Sequence, residues 1–362
     1  MKGNSLIRSR VFFVFILTIL FYCTPNFIIA QSLEETIQQL SEDAARQYVS
    51  PVVDGFGANL NSGWFQRAPK PIMSGFTFKV GLIAMGAFVD EAKRSFSTGG
   101  SYYFQEDEAR QLAEMINGWN QIPPQVQNEI IQAIMNTELS VQISGPTAIG
   151  STNENVQVQT GDFVVNVGSE SYSIPGQSLV LGVTGLVDNP PMLPAMAPQA
   201  TIGTVLGTQL ILRYLPNLTI SDEIGQMKYF GWGIQHNPEV WLMDPLPIDV
   251  SVGYYRQKLQ IGSIFEETTN AFGIHVSKNF GNLLLGITPY AGFMFEGSKM
   301  KLKYKYELDS SLDPIDVNIE IDGRNKSRFI VGFGINLAMV NIIADYNFSD
   351  TNTGSVSLML GL

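Results

Sequence analysis

From residue 74 to 88 the chain sets Phe76, Phe78, Val80, Leu82, Ala84 and Phe88 on one parity and Thr77, Lys79, Gly81, Met85 and Ala87 on the other. A side-chain period of two marks an extended strand whose two faces meet different surroundings. The pattern returns near the end, where Val331, Phe333, Ile335, Leu337 and Met339 alternate with Gly332, Gly334, Asn336 and Ala338. After a very short turn, Ile342, Ala344, Tyr346 and Phe348 do the same, and the last run puts Val356, Leu358, Leu360 and Leu362 opposite Ser355, Ser357, Met359 and Gly361. After residue 30 no stretch is apolar and long enough for a membrane-crossing helix. The spanning structure open to such a chain is therefore a ring of strands, which leaves no backbone donor unpaired in hydrocarbon.

Further runs at 201–214, 224–236, 248–260, 268–280 and 282–296 are separated by polar or proline-containing turns. With weaker N-terminal runs they predict an all-β fold, a transmembrane antiparallel β-barrel of about 12 to 14 strands. A soluble β-sandwich also alternates, but its strands average about 5 to 6 residues and these run to roughly twice that. The terminal amphipathic strand fits the barrel, although it stops on Leu362 where an aromatic residue is more usual.

Two segments read as helix. Leu33, Ile37, Leu40 and Ala44 recur at helical spacing, which predicts an amphipathic helix over 33–48 within an N-terminal plug segment, 31–72. It packs inside the barrel mouth or caps the periplasmic rim. Residues 106–117 and 124–136, punctuated by Pro123 and Pro124, predict a helical hairpin inserted at about 105–137 of a barrel that occupies 73–362.

The N-terminus has the layout of an export signal: Lys2, Arg8 and Arg10 precede an apolar run from Val11 to Tyr22, and Ala30 offers a cleavage site before Gln31. The run is broken by Thr24, Pro25 and Asn26, which argues against a membrane anchor. Lipid attachment at Cys23 is the alternative, opposed by the bulky Tyr22 before it. Cys23 is the one cysteine, so a chain cleaved after residue 30 has no thiol or disulfide. Lys and Arg total 22 against 33 Asp and Glu, and cleavage removes three basic residues and no acidic one. An acidic chain lacks the electrostatic basis for nucleic-acid binding.

Catalytic signatures are missing: there is no G-x-S-x-G elbow, H-E-x-x-H, P-loop or calcium loop. No catalytic, cofactor-binding or metal residues are assigned, and no cofactor is expected. Of the two imidazoles, His275 alternates with Gly273 and Ser277 and reads as a hydrogen-bonded lumen residue, while His236 ends a strand at Asn237-Pro238. Either would serve a hydrolase only with a nucleophile positioned beside it. Lys299, Lys301, Lys303 and Lys305 share one parity, as do Asp316, Asn318, Glu320 and Asp322. A turn centred on Ser311 and Leu312 would set Lys303 against Glu320 and Lys301 against Asp322, in a charged lumen or an extracellular lip that filters ligands, or in a solvated hairpin above the membrane. The stretch from Asp188 to Pro198 is stiff and apolar, and reads as a packed connector or as one side of a hydrophobic ligand's route.

The run Gly207-Thr208-Gln209-Leu210-Ile211-Leu212-Arg213-Tyr214-Leu215-Pro216, then Gly231-Trp232-Gly233-Ile234-Gln235-His236, and the earlier Gly55-Phe56-Gly57-Ala58-Asn59-Leu60 resemble an uncharacterised family of bacterial outer-membrane β-barrel proteins. That family is similar to the FadL-type long-chain fatty-acid transporters, 14-stranded barrels with an N-terminal hatch. The resemblance implies passive transport of hydrophobic small molecules across the outer membrane. The inserted helical hairpin departs from that pattern, and no binding residue carries over. A non-transporting structural or surface-interaction barrel is the other reading. The expected partners are outer-membrane lipid, lipopolysaccharide and a hydrophobic ligand, with the chain a monomer.

Overall fold

A computed structural model describes residues 31–70, 76–181, 183–204, 206–221, 225–242, 246–263, 265–282, 284–306 and 315–361. The expected export signal, with Cys23, lies outside these residues. The described chain divides into two compact units, one of residues 31–51 with 91–189 and one of 52–90 with 190–362. Helix α1 (Gln31–Leu60) runs through the first boundary and carries Pro51 inside it. Strand β1 (Phe76–Phe88) follows.

The first unit has its own core. Strands β2 (Ser95–Tyr102), β3 (Leu139–Pro146), β4 (Gln157–Thr160) and β7 (Ser178–Val180) pair in the order β2-β3-β4-β7, while β5 (Phe163–Val167) and β6 (Glu170–Ile174) form a hairpin. Helices α2 (Glu106–Ala113) and α3 (Pro124–Met135) lie between β2 and β3. Apolar residues at helical spacing, Ala109 and Ala113 on α2 and Ile130, Ile131 and Ile134 on α3, pack with Val165 and Ile174 of the hairpin. Pro124 stands in the first turn of α3, where its missing N–H has no intrahelical partner to lose.

The second unit is a closed ring. Strand β1 pairs with β8 (Met192–Thr204), and the path continues through β9 (Thr208–Ser221), β10 (Gly225–His236), β11 (Asp249–Ile261) and β12 (Phe265–Ser277). From β12 it reaches β14 (Leu285–Tyr306), then β16 (Ser327–Leu337), β17 (Val340–Phe348) and β18 (Thr353–Gly361), which returns to β1. Every pairing is antiparallel. Two further strands, β13 (Phe280–Gly281) and β15 (Ile315–Asp322), pair with β14 outside the ring. A ring has no edges, which distinguishes it from a two-sheet sandwich.

The ring holds ten strands where 12 to 14 were expected. The N-terminal runs counted toward the larger figure close into the small sheets of the first unit. Residues 192–198 of the expected connector open β8, whose Pro194 and Pro198 argue against a central strand because each removes a ladder donor, and the run expected at 201–214 divides between β8 and β9.

The period-two pattern sorts the wall into two surfaces. Phe78, Val80 and Leu82 of β1, Phe272 and Ile274 of β12, Phe329, Val331 and Phe333 of β16 and Val356, Leu358 and Leu360 of β18 are exposed, while their neighbours in sequence point inward and are largely buried. An exposed apolar belt this continuous is the reverse of a water-soluble exterior and matches a hydrocarbon-facing wall. The reversal between β16 and β17 uses two residues, with Ala338 at φ 52°.

Candidate functional site: the lumen segment and the split seam

Inside the ring, the inward side chains of the strands enclose the end of α1 and the residues after it. The last carbonyls of a helix have no partner within it and carry the negative end of the helix dipole, so cations are favoured there. Two arginines from opposite parts of the wall take that place. Arg328 on β16 donates from Nη2 to the Ala58 carbonyl at 2.9 Å. Arg213 on β9 donates to the carbonyls of Leu60 at 3.4 Å, Ser62 at 3.0 Å and Gly63 at 2.8 Å, and its Nε donates to Gln199 Oε1 at 2.8 Å. Gln257 Nε2 also donates to Leu60.

Arg328 is buried together with its counter-ion. Its Nε and Nη2 meet the two oxygens of Glu296 at 2.8 and 3.0 Å, the two-point geometry that fits a guanidinium to a carboxylate. Nearby, Asp345 accepts from Asn347 at 2.7 Å, Ser355 at 2.8 Å and Tyr290 at 3.1 Å. At the start of the segment, Asp54 accepts from the backbone N–H of Arg324 at 2.9 Å and from its Nε at 2.6 Å.

Aromatic rings fix the next residues. Trp64 stacks on Tyr255 with centroids 4.9 Å apart and lies 3.8 Å beneath the Arg213 guanidinium. Phe65 stacks on His275 at 4.0 Å and meets Tyr290 edge-on at 4.7 Å. Gly231 and Gly233 face inward on β10 beside this stack: a Cβ on Gly231 would stand 2.9 Å from the Gln257 side chain, and one on Gly233 would stand 2.3 Å from the Tyr255 ring on which Trp64 stacks. The Gly-Trp-Gly run thus has a local physical reason. Its glycines leave room for Gln257 and for Tyr255, the ring on which Trp64 stacks, while Trp232 between them points outward.

One seam of the wall is only half made. The β8–β9 ladder runs from Gln199↔Arg213 to Gly203↔Gln209, whereas β8 pairs with β1 along its whole length. From Met192 to Pro198, β8 has no β9 partner among the described residues, and β9 beyond Arg213 pairs only with β10. Pro194, Pro198 and Pro216 fall on these stretches, so the sequence itself withholds donors where the ladder is missing. Behind the seam the interior is apolar, with Leu60, Ile83, Met85, Ala197, Tyr229 and Leu259 buried together and Phe56, Ala195, Leu215, Met227 and Phe265 packed against them.

The two histidines stand on opposite faces of the wall. His275 faces inward as expected, but it is held by its stack on Phe65 and neither ring nitrogen has a hydrogen-bond partner among the described residues, unlike the hydrogen-bonded lumen histidine predicted. His236 faces outward, with Nδ1 2.9 Å from Thr208 Oγ1 and Nε2 accepting from the Trp241 indole N–H at 3.0 Å. The two therefore share no site.

The lysine and acidic stripes meet across β14 and β15, two residues out of the register predicted for them: Lys301 lies opposite Glu320, Lys299 opposite Asp322 and Lys303 opposite Asn318. Lys301 Nζ is 2.7 Å from Glu320, and Lys299 is 3.3 Å from Glu320 and 3.7 Å from Asp322. The four side chains are exposed, and the Lys301 and Lys299 ammonium groups hold the Glu320 carboxyl below the usual carboxylate range. Arg213, Arg328, Trp64 and Phe65 were not singled out in the sequence, because a buried arginine and an exposed one look alike until the partner strand is known.

Among solved structures, the chain is similar to the outer-membrane protein OmpT of Vibrio cholerae at 9% identity, covering 80% of this chain and 100% of that one with a TM-score of 0.21. It is similar to the β domain of the Bordetella autotransporter BrkA at 10% identity, covering 79% and 99% with a TM-score of 0.25. For LpxR from Salmonella typhimurium the figures are 10% identity, 77%, 99% and 0.23. At such TM-scores these likenesses carry no argument, and the barrel stands on the strand pairing above. No curated protein matches the chain. A family model matches residues 8–362, and the chain accordingly belongs to DUF6588, described as a family of unknown function.

Proposed function

We propose that this protein is an outer-membrane barrel through which hydrophobic small molecules, such as long-chain fatty acids, pass without an energy source, and that residues 52–70 act as its plug. The observation that carries this reading is the split seam: Met192 to Pro198 of β8 has no β9 partner among the described residues, and the side chains behind it, Leu60, Ile83, Ala197 and Leu259, are apolar. A polar solute would gain nothing from such a route, whereas an alkyl chain loses no hydration in crossing it.

The test uses a bridge across the seam. Ala197→Cys with Leu215→Cys, joined by a short bis-maleimide, should cut fatty-acid entry into vesicles carrying the purified protein at least ten-fold relative to the unbridged double variant. Equal entry with and without the bridge would show that the seam is not the route. A second reading, a structural barrel that transports nothing, is favoured by the buried Trp64 and Phe65 and the two arginines that hold the lumen segment. It requires entry at the rate of empty vesicles for the unbridged protein as well.

A further inference from the structure

Next to the split seam, the outer face of the ring is hollow. A groove of about 890 Å³ crosses β8, β1, β18, β17 and β16, within the roughly 300–1,000 Å³ typical of ligand sites. Its floor is made of small outward residues, Ala84, Gly86, Ala344 and Gly354, and the register aligns them: Gly86 lies opposite Gly354, and both Ala84 and Ala344 lie opposite Val356. Bulky side chains form the banks, Met192 and Met196 on one side and Val331 and Phe333 on the other. Tyr346 and Phe88, stacked at 5.7 Å, stand at one end.

Among the described residues that line it, the ionisable side chains are Tyr346 and Asp345, and the Asp345 carboxylate points into the lumen toward Asn347, Ser355 and Tyr290. The groove therefore offers a hydrocarbon chain contact on three sides and gives a free carboxylate no cation. Two register rows beyond Val331↔Tyr346, past the inward pair Ile330↔Asn347, stands Phe329↔Phe348. There a smaller hollow of about 300 Å³ is lined by Lys326, Ser327, Ser349 and Asp350. Both signs of charge are thus present where the headgroup of a molecule lying in the groove would end.

We propose that this groove is a binding site for one acyl chain of a bilayer phospholipid, its zwitterionic headgroup lying toward Lys326 and Asp350. The site rests on the reading of the outward face as lipid-facing and is independent of whether the barrel transports. Methionine on one bank suits an apolar ligand of variable shape, and the groove is continuous with the belt that meets the hydrocarbon.

The experiment reconstitutes the full mature chain in vesicles containing phosphatidylethanolamine with a diazirine-bearing acyl chain, irradiates them, and maps the adducts by peptide mass spectrometry. Adducts on the peptides of Met192, Met196 and Val356 should exceed those on Phe272 and Ile274 of the far wall at least five-fold. Gly354→Phe or Ala84→Phe, which fill the floor, should abolish that excess and leave far-wall labelling unchanged. Labelling spread evenly around the ring, or an excess that survives both fillings, would overturn the proposal. So would disulfide cross-linking between copies through Ala344→Cys, which would make a second chain the occupant. Fatty-acid entry into the same vesicles is read separately, so loss of transport and loss of the lipid site are distinguishable.

Discussion

Arg328 and Glu296 are both buried, and each compensates the other's charge. Removing one partner of such a pair costs about 3–5 kcal/mol, whereas replacing both with apolar side chains is often neutral or better. Arg328→Met should therefore lower stability against urea in detergent by about 3–5 kcal/mol, and Arg328→Met with Glu296→Met should recover most of that loss. Gly63 is held at φ 63°, and a Cβ there would strike the Ile83 side chain and stand 2.7 Å from Ser355 Oγ. Gly63→Ala should cost about 2 kcal/mol or more in the same measurement, because left-handed strain adds to the collision. At this scale the sequence is least legible. The run from Gly207 to Pro216 displays Arg213, yet its task, capping a helix more than 150 residues earlier, depends on ring closure that no local pattern reports.

At the scale of elements, alternation marks strands well wherever both faces have distinct tasks. β1, β16, β17 and β18 were readable for that reason: most of their outward residues are large and apolar, as Val80, Phe333, Phe348 and Leu358 are, and most of their inward ones are small or polar. β8 escaped because Pro194 and Pro198 sit on the half that pairs with β1 but has no β9 ladder, and the same two prolines made it look like a connector. The pairing of β14 with β15 was legible as two charged stripes, but its register depends on residues 307–314, which lie outside the described residues. The pairing has a pH consequence. Because the folded Glu320 carboxyl lies below its free value of about 4.3, its contribution is complete above that pH and is lost as pH falls through the lower, folded value. Protection of the β14–β15 amides against hydrogen exchange, taken relative to the intrinsic rate at each pH, should hold at pH 5 and fall as the pH drops below the free carboxylate range. Unchanged protection down to pH 2.5 would mean that the ion pairs contribute nothing to the hairpin.

For the molecule as a whole, fold class followed from one physical rule, that strands in hydrocarbon must close. Strand number did not follow from that rule, since a run such as β3, with Leu139, Val141 and Ile143 alternating with Ser140, Gln142 and Ser144, carries the period of a wall strand yet pairs inside the first unit. The most direct test of the account is accessibility along β18, read by spin labels on single cysteines at Ser355, Val356, Ser357, Leu358, Met359 and Leu360 in vesicles. Labels at 356, 358 and 360 should collide with oxygen and not with a water-soluble nickel complex, while those at 355, 357 and 359 should be shielded from both. If the labels at 356, 358 and 360 instead meet the nickel complex freely, the apolar belt does not face lipid and the barrel does not span a membrane.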